Sequence, residues 1–331
     1  MNGTGAADAA RAPRAGRWRR SWPWLCAAVL AAIALFAPVL ANDVPLCARV
    51  DGRWSFPAVE ELVGRAPPGP GDLGWKQWHS QLPESSPDFA VFPPWSYGPT
   101  ETDPQRMRAG PSLQHPLGND DTGRDVLARL LRGARATVGI SLCGVLLAAI
   151  VGTLLGALAG LRRGFADAVV MRLVEVFLCF PVLLMLLAVS ACFGRSSLAV
   201  VAAFAATMWP SFARIVRGEL LSLREREFVQ VARHLGIGSR RLFTHHLLPQ
   251  LKGQIGVVAA FCTAHAIIAE STLSFLGIGA GVQGGSWGGV LAQGKANAHL
   301  WVWHLWLFPG IAIVGTVMLC HVLADRLRPR E

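Results

Sequence analysis

The sequence predicts an all-α, polytopic membrane protein with six transmembrane helices and a large extracytoplasmic segment after the first. Three observations carry this. Of 331 residues, 52% are hydrophobic and only 16% charged, whereas a soluble domain is about a quarter charged; the mean hydropathy is +0.40. Six apolar runs, near 23–41, 136–160, 168–193, 197–216, 252–276 and 303–324, approach the roughly 20 residues that cross about 30 Å of hydrocarbon. Finally, the cations segregate. With the N-terminus cytosolic, Arg11, Arg14, Arg17, Arg19, Arg20, Arg162, Arg163, the cluster from Arg214 to Lys252, Arg326, Arg328 and Arg330 lie inside, and the short outer connections keep only Arg195 and Lys295. That is the positive-inside pattern. The net charge of +10, from 31 Lys and Arg against 21 Asp and Glu, is therefore a cytosolic surplus and gives no case for nucleic-acid binding.

In chain order, residues 1–22 form a basic cytosolic arm and 23–41 the first transmembrane helix. An Arg-rich start and Val39-Leu40-Ala41 also fit a cleavable signal peptide, but the run exceeds the usual apolar core of about 7 to 15 residues. Segment 42–135, rich in Pro, Gly, Trp and acids, has no run long enough to span; its ten cations and twelve acids suit an external location. Residues 136–326 hold five further helices with a cytosolic loop at 214–251, and 327–331 form a cytosolic tail. Gly144, Gly152, Gly156 and Gly160 offer a small-residue face for close helix packing. Six of the seven Cys lie in apolar runs, so no disulfide framework is legible.

Three catalytic look-alikes lack essential parts. Gly289 to Lys295 has P-loop spacing but is followed by Ala296 where Ser or Thr should hold Mg²⁺. Gly284-Gly285-Ser286-Trp287-Gly288 matches a nucleophile pattern without the strand-to-helix elbow it requires; with His265 and His304 nearby in apolar runs, it keeps an intramembrane serine hydrolase as a minor alternative. Asn119 to Gly123 begins like a Ca²⁺ loop, but Leu130 occupies the closing Glu position. No metal-ligand motif is present, and no catalytic, cofactor or metal site is assigned.

The informative region is the cytosolic loop. Phe228, Val231, Ala232 and Leu235 recur at i, i+3, i+4, i+7; Gly236 and Gly238 break the helix, Ser239 can cap a second one, and Pro249 is read as ending the unit. An exposed helix-turn-helix, apolar on one side, suits docking of another protein, or contact with lipid headgroups. Phe228 to Pro249 resembles the E-A-A…G…L-P cytosolic loop of ABC importer membrane subunits, with Ala232, Gly236, Leu248 and Pro249 matching and with Gln230 and Val231 replacing the usual Glu and first Ala. His115, Pro116, Leu117, Gly118, Asn119, Asp120, Gly123, Arg124 and Asp125 resemble the H-P-L-G-T-D-x-x-G-R-D signature of dipeptide and oligopeptide permeases, with Asn119 for Thr. Ala269 to Gly277 and Ser286-Trp287-Gly288 resemble that family's A-E-A-x-L-S-F-L-G and S-W-G. The stretches Asn42 to Leu46, Asp51 to Pro57 and Phe92 to Tyr97 are similar to the microcin C and peptide subgroup.

The resemblance implies a type I ABC importer permease fold and a transport subunit, not an enzyme, in a bacterial cytoplasmic membrane with both termini cytosolic. Its implied partners are a second homologous permease, two cytosolic ABC ATPases, an extracytoplasmic peptide-binding protein and membrane lipid. ATP and Mg would be used by the ATPases, with no cofactor on this chain. Phe228, Val231 and Leu235 would anchor the loop in an ATPase groove. Nickel and glutathione importers share the fold and remain open. Locally, Thr122 and Asp125 fit a capping box, and the stretch from Val126 reads as an interfacial helix or one folded within the outer domain. Glu270 and His265 are the intramembrane polar candidates, Glu270 for a bond to a neighbouring helix; Glu175 is expected to pair with Arg172. Trp54, Trp75, Trp78 and Trp95 offer aromatic surface for a binding protein, or a small outer core.

Overall fold

The computed structural model describes residues 15–62, 65, 69–70, 74–83, 86–162, 164–194, 196–235, 237–279 and 285–328. Its elements are α1 (Ala15–Leu40), β1 (Cys47–Val50), β2 (Arg53–Ser55), α2 (Pro57–Leu62), α3 (Trp75–Ser80), β3 (Phe89–Val91), α4 (Val126–Arg162), α5 (Phe165–Cys179), α6 (Val182–Phe193), α7 (Ser197–Leu223), α8 (Glu227–His234), α9 (Ser239–Leu242), α10 (Leu248–Phe275), α11 (Trp287–Ala296) and α12 (His304–Leu327). Among the described residues, five helices are long and apolar enough to cross a membrane, α1, α4, α7, α10 with the π turn before it, and α12; the bent pair α5–α6 makes a sixth when its two halves are taken as one span. The fold is predominantly helical, as predicted, with one small addition. The segment between α1 and α4 carries an antiparallel sheet in the order β2-β1-β3.

The third apolar run does not form one straight span. Phe180 is extended (φ −90°, ψ 134°), because the ring of Pro181 disfavours helical backbone in the residue before it, and α5 and α6 meet at 90°. At about 1.5 Å per residue neither half reaches across the hydrocarbon alone. Nor does the stretch from Val126 form a separate interfacial helix. It is the opening of α4, whose 37 residues are continuous and extend about 55 Å.

The core is organised around α4 and α7. Gly144 faces Phe204, Gly152 faces Trp209 and Phe212, Gly156 faces Ala213 and Val216, and Gly160 faces Leu220. Both series ascend, so the two helices run parallel, as the intervening α5–α6 pair permits. A Cβ at any of these glycines would fall 2.4 to 3.0 Å from α7, so the suggested small-residue face is the contact that lets the backbones approach. Val174 of α5, Leu186 of α6 and Cys262, Ala266 and Leu273 of α10 complete the cluster. Arg217 grips Asp167 with its Nη2 2.7 Å from Oδ2, tying α7 to α5, and Arg224 donates to the carbonyls of Gly160 and Leu161, capping the end of α4. On the other flank, Leu30, Ile33 and Ala34 of α1 pack on Ala134 and Val138 of α4, Trp287 and the Ala312–Ile313 stretch of α12.

Gly152→Val should abolish most of the folded yield, since its side chain would enter the space of Trp209 O and Phe212 Cβ. Gly139→Val, on the same helix with nothing within 4 Å of the new Cβ, should be tolerated. Size-exclusion profiles of the two variants extracted in mild detergent measure the difference.

Candidate functional site

Two arrangements occupy opposite ends of the α4–α7 pair. At the start of α4, the H-P-L-G stretch folds into a buried knot. Asp120 and Asp125 are its two acceptors, both inaccessible to solvent. Asp120 Oδ1 accepts from the backbone N–H groups of Thr122 and Arg124 and from the Thr122 hydroxyl, each at 2.9 Å; Oδ2 accepts from Arg124 Nε at 2.7 Å and from buried Arg129. Burial raises the Asp120 pKa, but Arg129, the Arg124 and Thr122 amides and the Arg124 guanidinium outweigh it and hold the carboxyl below its usual range. Arg129 also reaches Gln293 of α11. A Ca²⁺ site is excluded here, because arginines and amides fill Asp120's acceptor positions.

Asp125 caps α4: its Oδ1 accepts from Ala128 N at 2.7 Å and Trp95 Nε1 at 3.1 Å, and its Oδ2 lies 2.7 Å from His115 Nδ1. The expected capping box at Thr122 is thereby corrected. Thr122 spends its hydroxyl on Asp120, and the cap is Asp125 itself, since it directly precedes the first helical residue. The Tyr97 ring packs against His115 at a tilt of 48°, with centroids 4.5 Å apart. Gly118 and Gly123 have φ of +78° and +85°, and a Cβ at Gly123 would lie 1.9 Å from Asp103 O, which explains glycine at both positions. Pro116 is exposed, and Leu117 packs on Val126, Val290, Val302 and Leu305. Asn119 O meets His304 Nε2 of α12 at 2.9 Å, and Asn297 donates to Asp121. The motif thus joins the 42–125 segment, α4, α11 and α12.

At the other end, the 214–251 loop presents two faces instead of the single apolar side read from the sequence. Phe228, Val231 and Leu235 are 40%, 56% and 75% exposed, whereas Val229 is fully buried and Ala232 and Ile237 turn inward with it, against Ala157 of α4, Val216, Leu220 and Leu223 of α7, Leu242, Leu247 and Leu251. Val229 was missed because Phe228 and Val231 matched the helical period; its signal is the Val229–Ala232 i, i+3 pair. Gln230 is exposed, and its Nε2 donates to Glu225 O at 3.1 Å. Gly236 lies outside the described residues. Pro249, exposed beside half-buried Leu248, does not end the unit. The chain passes from α9 through a π turn at Phe243–Leu247 into α10, with Pro249 in the first turn, where its missing N–H is tolerated.

Buried Glu270 accepts from Ser274 Oγ at 2.7 Å, and the hydroxyls of Thr137 on α4 and Ser286 face the same carboxyl. His265 is exposed and bonds the Phe261 carbonyl one turn back. Arg172 and Glu175 pair at 2.7 Å as expected. Ser286 is buried and caps α11 through Gly289 N; among the described residues no histidine bonds it, which leaves the hydrolase alternative without a dyad. Gly289 to Lys295 is helical, lying within α11, and forms no phosphate-binding loop.

Asp120→Asn should lower stability by about 3 to 5 kcal/mol, because Arg129 would remain buried without its counter-charge; the thermal midpoint in detergent measures it. Since the Asp120 pKa is depressed, its contribution is complete above the ordinary aspartate value of about 3.9 and is lost only as pH falls through the lower folded value. Acidification to about pH 5 should therefore leave the knot intact.

Several known proteins are similar to this chain. A protein of Brucella suis biovar 1 named as a peptide transport system permease is 38% identical over 72% of this chain and 81% of its own length. One of Brucella ovis named as a peptide permease is 37% identical over the same shares. The glutathione transport system permease protein of Pectobacterium atrosepticum is 36% identical over 68% of this chain and 75% of its own. Among solved structures, a chain of the MetNI methionine ABC transporter in an inward-facing conformation shares the fold, with a TM-score of 0.50 and 17% identity over 60% of this chain and 94% of that one. Residues 152–330 match the family described as the binding-protein-dependent transport system inner membrane component, and on that match and these identities the chain belongs to this family of ABC transporter permeases.

Proposed function

We propose that the chain is one of two permease subunits of an ATP-driven importer that takes up peptides delivered by an external binding protein. The observation that carries this is the two-faced loop. Phe228, Val231 and Leu235 project from a unit whose other face, at Val229, Leu242 and Leu247, is packed onto the ends of α4 and α7. Apolar side chains exposed on a loop that is itself anchored to the spanning helices suit a knob seated in an ATPase groove, and movement of that groove would carry α4, α7 and α10 with it. Gln230, satisfied by Glu225 O, supports the turn and needs no contact from the partner.

The remaining assignments follow the same reading. The distribution of cations supports cytosolic termini and an external 42–135 segment. Two cytosolic ATPases would bind ATP and Mg; this chain binds neither. The binding protein would meet the external side, and the second permease would complete the pathway. The peptide class rests on the two Brucella relatives, and the Pectobacterium relative favours glutathione, itself a short peptide, as the second reading.

Leu235→Glu should leave the subunit folded and assembled while cutting ATP-driven uptake about tenfold or more, because a carboxylate would have to be desolvated in the groove; normal uptake would refute the docking role. Cysteine labelling at Gly69 and at Glu331 should occur from outside and inside respectively, and labelling of the first from the cytosol alone would overturn the topology. Cells lacking this subunit should fail to accumulate labelled oligopeptides. If glutathione or nickel uptake falls instead, the substrate assignment is wrong and the importer survives.

A further inference from the structure

The first and last spanning helices leave a groove between them. Leu30, Ile33 and Ala34 of α1 pack by Ala312 and Ile313 of α12. Beside that contact a groove of about 330 Å³ runs between Leu25, Val29 and Ile33 on α1 and Ala312, Gly315 and Leu319 on α12. At about 1.5 Å per residue, the stretch from Leu25 to Ile33 makes it about 12 Å long. A Cβ at Gly315 would meet nothing within 4 Å, so this glycine leaves space, where those of α4 admit a neighbouring helix. The Thr316 hydroxyl in the lining is spent on the Ala312 carbonyl at 2.7 Å. What remains for an occupant is almost entirely hydrocarbon.

The rim and one end of the groove say what fills it. Leu25, Val29, Ile311 and Met318 are half exposed or more. Helices that associate in a bilayer do so through small or hydrogen-bonding side chains, so a rim of large aliphatic groups holds a second helix off, whereas a flexible acyl chain passes between them. Trp22 and Trp24, near the start of the apolar run, are 46% and 48% exposed and stand where indoles meet lipid headgroups. The same end is cationic. Arg326 lies two turns beyond Leu319 on one face of α12, exposed and without an ion pair among the described residues, whereas Arg328 pairs with Asp325. The opening turns of α1 bring Arg17, Arg19 and Arg20 to this end as well. Basic pockets between spanning helices on the cytosolic side hold anionic lipid headgroups.

We infer that the α1–α12 groove seats one acyl chain of an anionic phospholipid of the cytosolic leaflet, with Arg326 taking its phosphate. The assignment goes beyond the importer reading and rests only on the orientation that the cations support.

The test uses the complete importer in nanodiscs of phosphatidylethanolamine containing phosphatidylglycerol with a diazirine in its acyl chain; after irradiation the labelled peptides are mapped by mass spectrometry. Labelling should concentrate on 25–33 and 311–319, and should fall when unlabelled phosphatidylglycerol replaces phosphatidylethanolamine. Gly315→Phe, which fills the groove, should cut labelling of both stretches about tenfold, since the chain loses its buried methylenes. Gly310→Phe, equally unobstructed on the same helix but outside the lining, should leave it unchanged. Arg326→Glu should lower the preference for phosphatidylglycerol over a phosphatidylethanolamine probe about fivefold or more, and Arg328→Glu should lower it little. Should Gly315→Phe fail to assemble, Arg326→Glu carries the test. Labelling spread evenly over the spanning helices, unchanged in Gly315→Phe or equally lowered in Gly310→Phe overturns the site, as does a lipid preference unchanged in Arg326→Glu. Capture of the second permease by a bifunctional reagent on Cys26, which lines the groove, would make this a subunit contact and equally overturn it. Topology and peptide uptake are measured separately, by the labels at Gly69 and Glu331 and in cells, so failure of the lipid site leaves both standing.

Discussion

The structure depends on the close approach of α4 to α7. Within a bilayer the apolar effect does not drive helices together, so association rests on packing, on hydrogen bonds and on how near the backbones can come. Gly144, Gly152, Gly156 and Gly160 of α4 carry no Cβ where one would press into Phe204, Trp209, Phe212, Ala213, Val216 and Leu220. The parallel pair is then closed at one end by Arg224 on the α4 carbonyls. At the other it meets the Asp120–Arg129 knot, which adds α11, α12 and the segment that carries the small sheet. The pair runs between the two ends together with α10, whose Leu251 packs in the loop cluster and whose Glu270 meets Ser286 near the start of α11.

The two ends are stabilised by different physics. The knot is polar, and most of its buried groups are paired, with Asn119 Oδ1 and Asp121 Oδ1 left without a hydrogen bond among the described residues. Asp120, Asp125, Arg129 and His115 are buried, with half-buried Arg124 closing over Asp120, and both carboxylates meet partners there, so its worth lies in fixing one arrangement of four segments more than in net stability. The loop end is apolar on the inside and unsatisfied on the outside, which is how a surface reserved for a partner differs from a finished core. Phe228 and Val231 on α8 and Leu235 just past its end are exposed large apolar side chains, a liability in an isolated chain and the surface that the proposed groove would cover.

Much of this was legible in the sequence. Run length gave the spans, the cations gave an orientation, and the spacing of Gly144 to Gly160 marked the contact face. What escaped was what depends on backbone details. Pro181 reads as an interruption in a hydropathy profile, but the size of the bend is set by Phe180 adopting an extended conformation. Thr122 and Asp125 satisfied a capping pattern whose true cap is one residue from the helix start. The roles within the knot were invisible because the partners of Asp125, Trp95 and His115, lie 30 and 10 residues away in sequence. Val229 was hidden by flanking apolar residues that fit the period equally well, and only packing against Leu220 and Leu247 distinguishes the inward face from the outward one.

The central claim is that the loop and the α4–α7 pair move as one body when the ATPases close. Spin labels at Leu154, exposed on α4, and at Glu227, at the start of α8, in a chain whose native cysteines are replaced, report that relation directly by pulsed dipolar spectroscopy in the complete importer. The account predicts the same distance distribution in the nucleotide-free and ATP-trapped states. A shifted or split distribution on trapping ATP would show the loop swinging independently of the spine, and would contradict the claim.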